Sequence, residues 1–560
     1  MLVLTVLWDR ESRSSSTAGS AIRSFEGSTG EGRREAGSGS GEWSTVRVIL
    51  EGSSLWSLID ERANRSPDAL IALDEDGRRL TFGEYRERAL RVAAALAERG
   101  IGAEDRVSWQ LPTWIETAIL AGALSRLGAV QNPIIPILRE REVGFITRQV
   151  HPRLIVVPSF WRDFDYGSMA ESAAAAIGAQ VLICDRTLPE ADPGMLPPFP
   201  EALPDAVRWI LYTSGTTSDP KGALHSDASL SAGARGLCEA LELGEADRWA
   251  MVAPFTHVGG VTMLLAFLMT GASGIFVERY DDSVPALLGR LGCTVAAGGT
   301  ALVLRFLEVQ RRAPSTPLFP ELRATIAGAA PKPDALHEEV RREMGGLGVL
   351  SVYGLTEAPY VTSSHVGDGD DVLAACEGRP AAGTEVRIVG SEGQEVPLGE
   401  SGELRVRGAL VCQGYLDPAL DREAFDDEGF FRTGDLARMW PDRSIEIVGR
   451  LKDVIIRNGE NISPKEIEDL LYRHPAIVDA AVIGLPDPRT GERCCAVVVA
   501  ANADEPPTLA QLVDYCRDAD LANQKLPEQL VVLDELPRNA AGKVLKFRLC
   551  EELADSPEGR

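Results

Sequence analysis

The chain has 560 residues, 44% of them apolar, which allows buried cores in roughly two to four domains. Its 57 Lys and Arg against 83 Asp and Glu leave a net charge of −26, which argues against broad binding to nucleic acid or acidic membrane. An anionic ligand must therefore be captured by local positive charge and oriented backbone dipoles.

In chain order, Met1–Trp8 is apolar, but no basic segment precedes it and Asp9, Arg10 and Glu11 follow at once, which makes a poor secretory signal. Residues 12–42 are rich in Ser, Gly, Arg and Glu, so 1–47 is expected to be a disordered extension, a pattern that a misassigned upstream start would also give. Thr81-Phe82-Gly83-Glu84 has the form of a capping box. Tyr85, Ala89, Val92, Ala93 and Leu96 then recur at helical spacing until Gly100 stops the run. Leu154–Val157 and Val181–Cys184 are short β-branched runs between Ala/Leu-rich helical stretches, the rhythm of a parallel sheet covered by helices.

Val207–Tyr212 reads as a strand, and behind it residues 213–222 gather glycines, hydroxyls and Lys221 in one loop. Close backbone approach at Gly215, donors from Thr213, Ser214, Thr216 and Thr217, and the Lys221 charge all suit phosphate. A Gly/Ser/Thr cluster also suits a plain turn. It is not a P-loop, because Pro220 stands where the second glycine belongs and Gly222, not Ser or Thr, follows Lys221.

Further on, Glu385–Val389 and Glu403–Arg407 alternate like half-buried antiparallel strands. Past Gly449 the character changes. Ser463-Pro464-Lys465-Glu466 starts a helix with Ser463 as cap, strands follow at Ala480–Gly484 and Cys495–Val499, a helix from Thr508, and a strand at Leu530–Leu533. No C-x-x-C pair and no His ligand spacing occurs, so the nine cysteines read as packing residues, and a reducing, cytoplasmic location fits. No apolar run reaches the ~18 residues of a spanning helix, so no integral membrane segment is expected.

Several motifs together carry a resemblance. The 213–222 loop, Ala327-Gly328-Ala329-Ala330-Pro331, Tyr353-Gly354-Leu355-Thr356-Glu357, Thr433-Gly434-Asp435, Gly449-Arg450-Leu451-Lys452-Asp453 and Pro537-Arg538 to Gly542-Lys543 occur in the order of the adenylate-forming enzymes. That superfamily includes acyl-CoA synthetases, and the chain resembles it from about Leu50 to Lys546. It departs at Ser218 and Asn458, where the family favours glycine. The resemblance implies an α/β architecture. A large N-terminal domain over 48–450 would hold helix-covered mixed and parallel sheets plus a β-barrel-like subdomain, with a small mobile α+β domain over 451–554 and a tail at 555–560.

It also implies residue roles. Thr213, Ser214, Gly215, Thr216, Thr217 and Lys221 would hold the ATP phosphates. Gly328, Ala329, Ala330, Tyr353 and Gly354 would form the adenine pocket, with Gly328 and Tyr353 shared with the acyl site. Asp435 would meet the ribose hydroxyls and Arg450 the nucleotide. Thr356 would meet the α-phosphate, while Glu357 and Thr217 would hold Mg²⁺. Lys543 would bridge the substrate carboxylate and the phosphate, Lys452 would be the hinge, and Gly459 would line the pantetheine tunnel. The implied reaction joins a carboxylate to AMP and then passes the acyl group to the thiol of coenzyme A, with an acyl carrier protein as the alternative acceptor. Pro254–Gly260 matches the acyl gate, with His257 as gate or as a satisfied core histidine and Gly259 and Gly260 keeping the pocket roomy. The segments Leu111–Glu116, Gly128–Pro133 and Arg139–Glu142 look most like the cyclohexanecarboxylate and medium-chain fatty acid CoA ligase branch.

Overall fold

The computed structural model describes residues 49–554 apart from 201–202, 214–219, 297, 331, 334, 459 and 540–542. The expected extension, the loop residues Ser214–Thr217 and Gly459 thus lie outside the described residues.

The predicted helix spans Phe82–Glu98, capped as the sequence indicates: Glu84 N–H donates to Thr81 Oγ1 at 3.2 Å, and Thr81 N–H donates to Glu84 Oε2 at 2.8 Å. Its buried face packs on Ile115–Leu127, where Tyr85 Oη donates to the Ala118 carbonyl at 3.0 Å. Gly122 makes room for that ring, since a Cβ there would lie 2.8 Å from the Tyr85 hydroxyl.

One sheet has six strands in the order Lys221–Ser226, Val207–Thr213, Val130–Pro133, Arg106–Trp109, Leu154–Val157, Gln180–Ile183. Only the first pair is antiparallel; the others run parallel, and Val130–Pro133 and Leu154–Val157 are buried throughout, which is why Leu154–Val157 reads as an unbroken apolar run. Lys221 is not a loop residue as the sequence suggested. It opens a strand at the sheet edge and pairs antiparallel with Thr213.

A nine-stranded sheet carries the second half of the large body. Its centre, Val349–Leu355, Ala324–Ala327, Val295–Ala296, Arg248–Met251, Ser273–Phe276 and Leu70–Asp74, is parallel, and antiparallel strands close both edges. Thr384–Val389, Gly402–Gly408, Phe431–Met439 and Ile445–Arg450 form a four-stranded antiparallel sheet.

After the turn Leu451–Asp453 comes a five-stranded sheet, with Ile477–Asp487 and Gly491–Ala500 as its long hairpin and Gln529–Val532 parallel to the latter. Helices Pro464–Leu471 and Leu509–Asp518 cover it, the second with the capping box that Thr508 announces. Ser463 precedes its helix as expected, yet its hydroxyl does not cap. It donates instead to the Val448 carbonyl at 2.8 Å, joining this sheet's first helix to the strand before the turn. All described residues belong to one compact unit.

Candidate active site

Antiparallel pairing of Phe431–Met439 with Ile445–Arg450 sets Asp435 opposite Arg450. Asp435 is buried and held from two sides: Arg450 Nε donates to Oδ1 at 2.7 Å and Tyr353 Oη donates to Oδ2 at 2.7 Å. Tyr353 belongs to the nine-stranded sheet, so this carboxylate ties two sheets together. Burial, and then the adjacent carboxylate, hold the Tyr353 phenol protonated well above its ordinary range.

Glu357 lies at the turn between Val349–Leu355 and Ala358–Ser363 and is only 8% exposed. Tyr415 Oη donates to its Oε1 at 2.6 Å. Desolvation raises the Glu357 pKa, and the Tyr415 hydrogen bond, a hydrogen bond from its own backbone N–H, Lys221 and Arg450 pull it back toward the ionised form. Lys221 Nζ sits 5.6 Å above the centre of the Tyr415 ring.

The same turn is anchored from behind. His225, fully buried, has Nε2 2.8 Å from the Thr356 carbonyl and Nδ1 2.9 Å from Ser229 Oγ. A carbonyl only accepts, so Nε2 carries the proton; burial lowers the imidazole to about 4 and keeps it neutral. Neither Tyr415 nor His225 stands out in the sequence, because their partners lie 58 and 131 residues away.

Ala324–Ala327 delivers Gly328, Ala329 and Ala330 to the cleft. A Cβ on Gly328 would lie 2.7 Å from the Val352 carbonyl oxygen, so only glycine permits this approach. Ala329 has φ +62°, a left-handed conformation that a side chain disfavours. Asn458, where the family favours glycine, has φ +52°, which asparagine tolerates best among residues with a side chain.

Lys543 enters from the C-terminal part. Its N–H donates to Asn539 Oδ1 at 2.9 Å and its carbonyl accepts from Asn539 N–H at 2.8 Å, and Lys543 lines the same recess as Arg450 and Asp435. Desolvation, then Arg450, lowers the Lys543 ammonium to about 8, with Asp435 and Asp453 opposing.

These groups line one cleft of about 930 Å³ that includes Thr213, Lys221, Thr356, Glu357, Arg450 and Lys543. A recess of about 170 Å³ opens beside it against Ala330, Tyr353 and Asp435. Gly354 also lines both spaces, and Lys452 lies exposed at the rim, in the turn Leu451–Asp453.

His257 also faces this cleft while capping the helix Val258–Thr270. Its Nδ1 accepts from Gly259 N–H at 3.2 Å, so it is neither a plain core histidine nor free at both nitrogens. Burial lowers its pKa, consistent with a neutral ring. Gly259 does leave space, whereas Gly260 answers to the backbone instead, because a Cβ there would lie 2.5 Å from the Phe255 carbonyl oxygen.

Residues 59–416 match the AMP-binding enzyme family, and residues 466–543 match the AMP-binding enzyme C-terminal domain. The chain belongs to the adenylate-forming AMP-binding enzymes. This AMP-binding enzyme is 31% identical over 529 residues to the medium-chain fatty-acid–CoA ligase of Escherichia coli strain K12, covering 90% of this chain and 93% of that one. It is 32% identical to the salicyl-AMP ligase/salicyl-S-ArCP synthetase of Mycobacterium tuberculosis strain H37Rv, over 90% and 91% of the two chains. Among solved structures, ATP-bound MatB from Rhodopseudomonas palustris superposes with a TM-score of 0.81 at 29% identity, covering 90% of this chain and 99% of that one.

All nine cysteines are free thiols, and eight are buried. Among the described residues, no group of three His, Cys, Asp or Glu side chains could cage a metal, and no helix is long and apolar enough to cross a membrane. A Mg²⁺ ion accompanying a nucleotide needs no such cage, since it takes one or two carboxylates and completes its shell with phosphates and water. Glu357, a buried carboxylate of hard oxygens lining the cleft, fits that demand.

Proposed function

We propose that this enzyme is an ATP-dependent acyl-CoA ligase that activates a medium-chain or alicyclic carboxylic acid through an acyl-adenylate. In this reading the substrate carboxylate attacks the α-phosphorus of ATP, pyrophosphate leaves, and the thiolate of coenzyme A then displaces AMP from the acyl carbon. Substrate groups are the nucleophiles in both steps, so no side-chain nucleophile is needed, in keeping with the buried thiols.

The observation that carries the reading is Lys543 beside the Arg450–Asp435 pair, in the same cleft as Glu357 and Lys221. The roles follow from chemistry. Asp435 offers acceptors to the ribose hydroxyls, and Arg450 holds Asp435 and faces the nucleotide. Tyr353, with Gly328, Ala329, Ala330 and Gly354, forms the adenine slot. Thr356 donates to the α-phosphate, while Lys221 with Thr213, Ser214, Gly215, Thr216 and Thr217 grips the β- and γ-phosphates. Glu357 and Thr217 would hold Mg²⁺, which neutralises phosphate charge as pyrophosphate departs. Lys543 stabilises charge on the attacking and bridging oxygens. Lys452 is the hinge between a domain over 48–450 and one over 451–554. Rotation there withdraws Lys543 and brings Gly459 to the pantetheine path for thioester formation.

Apolar lining by Met251, Met263, Val352 and Ile326 supports an apolar acid, as does the medium-chain relative. The salicyl-S-ArCP relative supports a second acceptor, a separate carrier-protein thiol. Pyrophosphate release with a panel of C6 to C12 and alicyclic acids, with and without coenzyme A, tests the reading. Acid-dependent release accelerated by coenzyme A is expected; acid-dependent release indifferent to coenzyme A favours a carrier. No acid-dependent release at all would sink the enzyme reading.

A further inference from the structure

Ser463 stands at the N-cap of the helix Pro464–Leu471 in the extended conformation that capping requires, φ −78° and ψ 118°, yet its hydroxyl makes no cap hydrogen bond. A serine cap is worth about fivefold in the stability of its helix, so the departure needs a cause. The hydroxyl donates to the Val448 carbonyl at 2.8 Å, and the turn Leu451–Asp453 lies between the two residues in the chain. A side chain after the turn is thereby bonded to backbone before it.

Both ends of that bond lead to the cleft. Val448 belongs to the strand Ile445–Arg450, whose last residue pairs with Asp435. The helix that Ser463 opens is tied to the C-terminal segment, since Glu468 Oε1 meets Lys546 Nζ at 2.7 Å and accepts from Val482 N–H at 2.7 Å. Lys546 follows Lys543 closely in the chain, and both line the recess that Arg450 and Asp435 line. The hydroxyl fixes the helix, the helix fixes Lys546, and Lys543 is held with them.

We propose that Ser463 is a positioning residue for Lys543 and that its hydroxyl is a latch with two positions: bonded to Val448 it holds the arrangement that forms the adenylate, and after rotation about Lys452 it caps its own helix. The proposal rests on the two-step reading and the hinge given above and deepens them. Rotation at the turn parts Ser463 from Val448, which lies on the other side of it. The Glu466 N–H, three residues on in the same helix, travels with Ser463 and stays within reach of one side-chain rotation. The lost bond is replaced by a cap instead of being left unmet, which keeps the two arrangements close in free energy.

Ser463→Gly and Ser463→Asp both delete the donor to Val448, while glycine caps nearly as well as serine and aspartate equally well, so only the first position of the latch is lost. Two single-turnover rates are measured, with the melting temperature beside them. One is pyrophosphate release with ATP and whichever acid of the C6 to C12 and alicyclic panel supports the fastest release; the other is thioester formation from the matching acyl-adenylate and coenzyme A. In both variants the first rate should fall about two- to tenfold, the worth of one neutral hydrogen bond, while the second is unchanged or faster. Ser463→Thr keeps donor and cap and should match the wild type in both steps. Equal falls in the two rates, an unchanged first rate, or failure of both the Gly and Asp variants to fold overturns the proposal. Absence of acid-dependent release in the wild type is a different result, which overturns the acid-activating reading and the proposal with it.

Discussion

Replacing Lys543 by alanine removes a cation held in a largely desolvated position beside Arg450, Asp435 and Asp453. A preorganised charge facing a developing oxyanion is worth about 10²–10³ in rate, or about 3–4 kcal/mol, so adenylate formation should fall at least that far. The ammonium is the active form. Because desolvation and Arg450 lower it to about 8, kcat/KM for pyrophosphate release should decline as pH rises through about 8 in the wild type. Pyrophosphate release with ATP and acid reports the first step, and thioester formation from supplied acyl-adenylate and coenzyme A reports the second. Lys543→Ala should cripple the first, largely spare the second and lose the alkaline decline, while Lys543→Arg should move that decline to higher pH. Equal loss in both steps, or an alkaline limb that persists in the alanine variant, would refute the assigned role.

Tyr415→Phe deletes the hydrogen bond to the buried Glu357 carboxylate, worth about 1.5–3 kcal/mol for a charged acceptor. The apparent Mg²⁺ requirement for pyrophosphate release should rise about tenfold or more, and an unchanged Mg²⁺ titration would contradict the placement of Glu357. His225 has its folded pKa depressed from 6.5 to about 4, so its contribution is present above pH 6.5 and is lost as pH falls toward 4. The loss amounts to at most about 3 kcal/mol, visible as a falling melting temperature, and His225→Gln should flatten that acid limb. Lys452→Pro restricts the turn Leu451–Asp453, and should leave pyrophosphate release near normal while slowing transfer to coenzyme A; matched losses would argue against a hinge there.

What the sequence made legible was local. Thr81 and Thr508 announce helix starts through side chains three residues apart, and Leu154–Val157 shows a doubly buried strand by its unbroken apolar run. Distant partners were not legible. Tyr415 reaches Glu357 across 58 residues and His225 reaches Thr356 across 131, contacts set by sheet order rather than by any spacing. Ser463 shows the same limit: it sits at the predicted helix start, but the Val448 carbonyl competes for its hydroxyl and wins. Glycines and hydroxyls before Lys221 suggest a loop, whereas pairing with Thr213 makes it strand. Gly260 looked like pocket space, and only the nearby Phe255 backbone reveals a packing demand.

The central claim is that a carboxylate oxygen attacks the α-phosphorus. A substrate acid labelled with oxygen-18 in its carboxylate should therefore transfer one labelled oxygen to AMP in each turnover, leaving pyrophosphate unlabelled. Label in pyrophosphate or inorganic phosphate, or AMP free of label while thioester accumulates, would contradict the account.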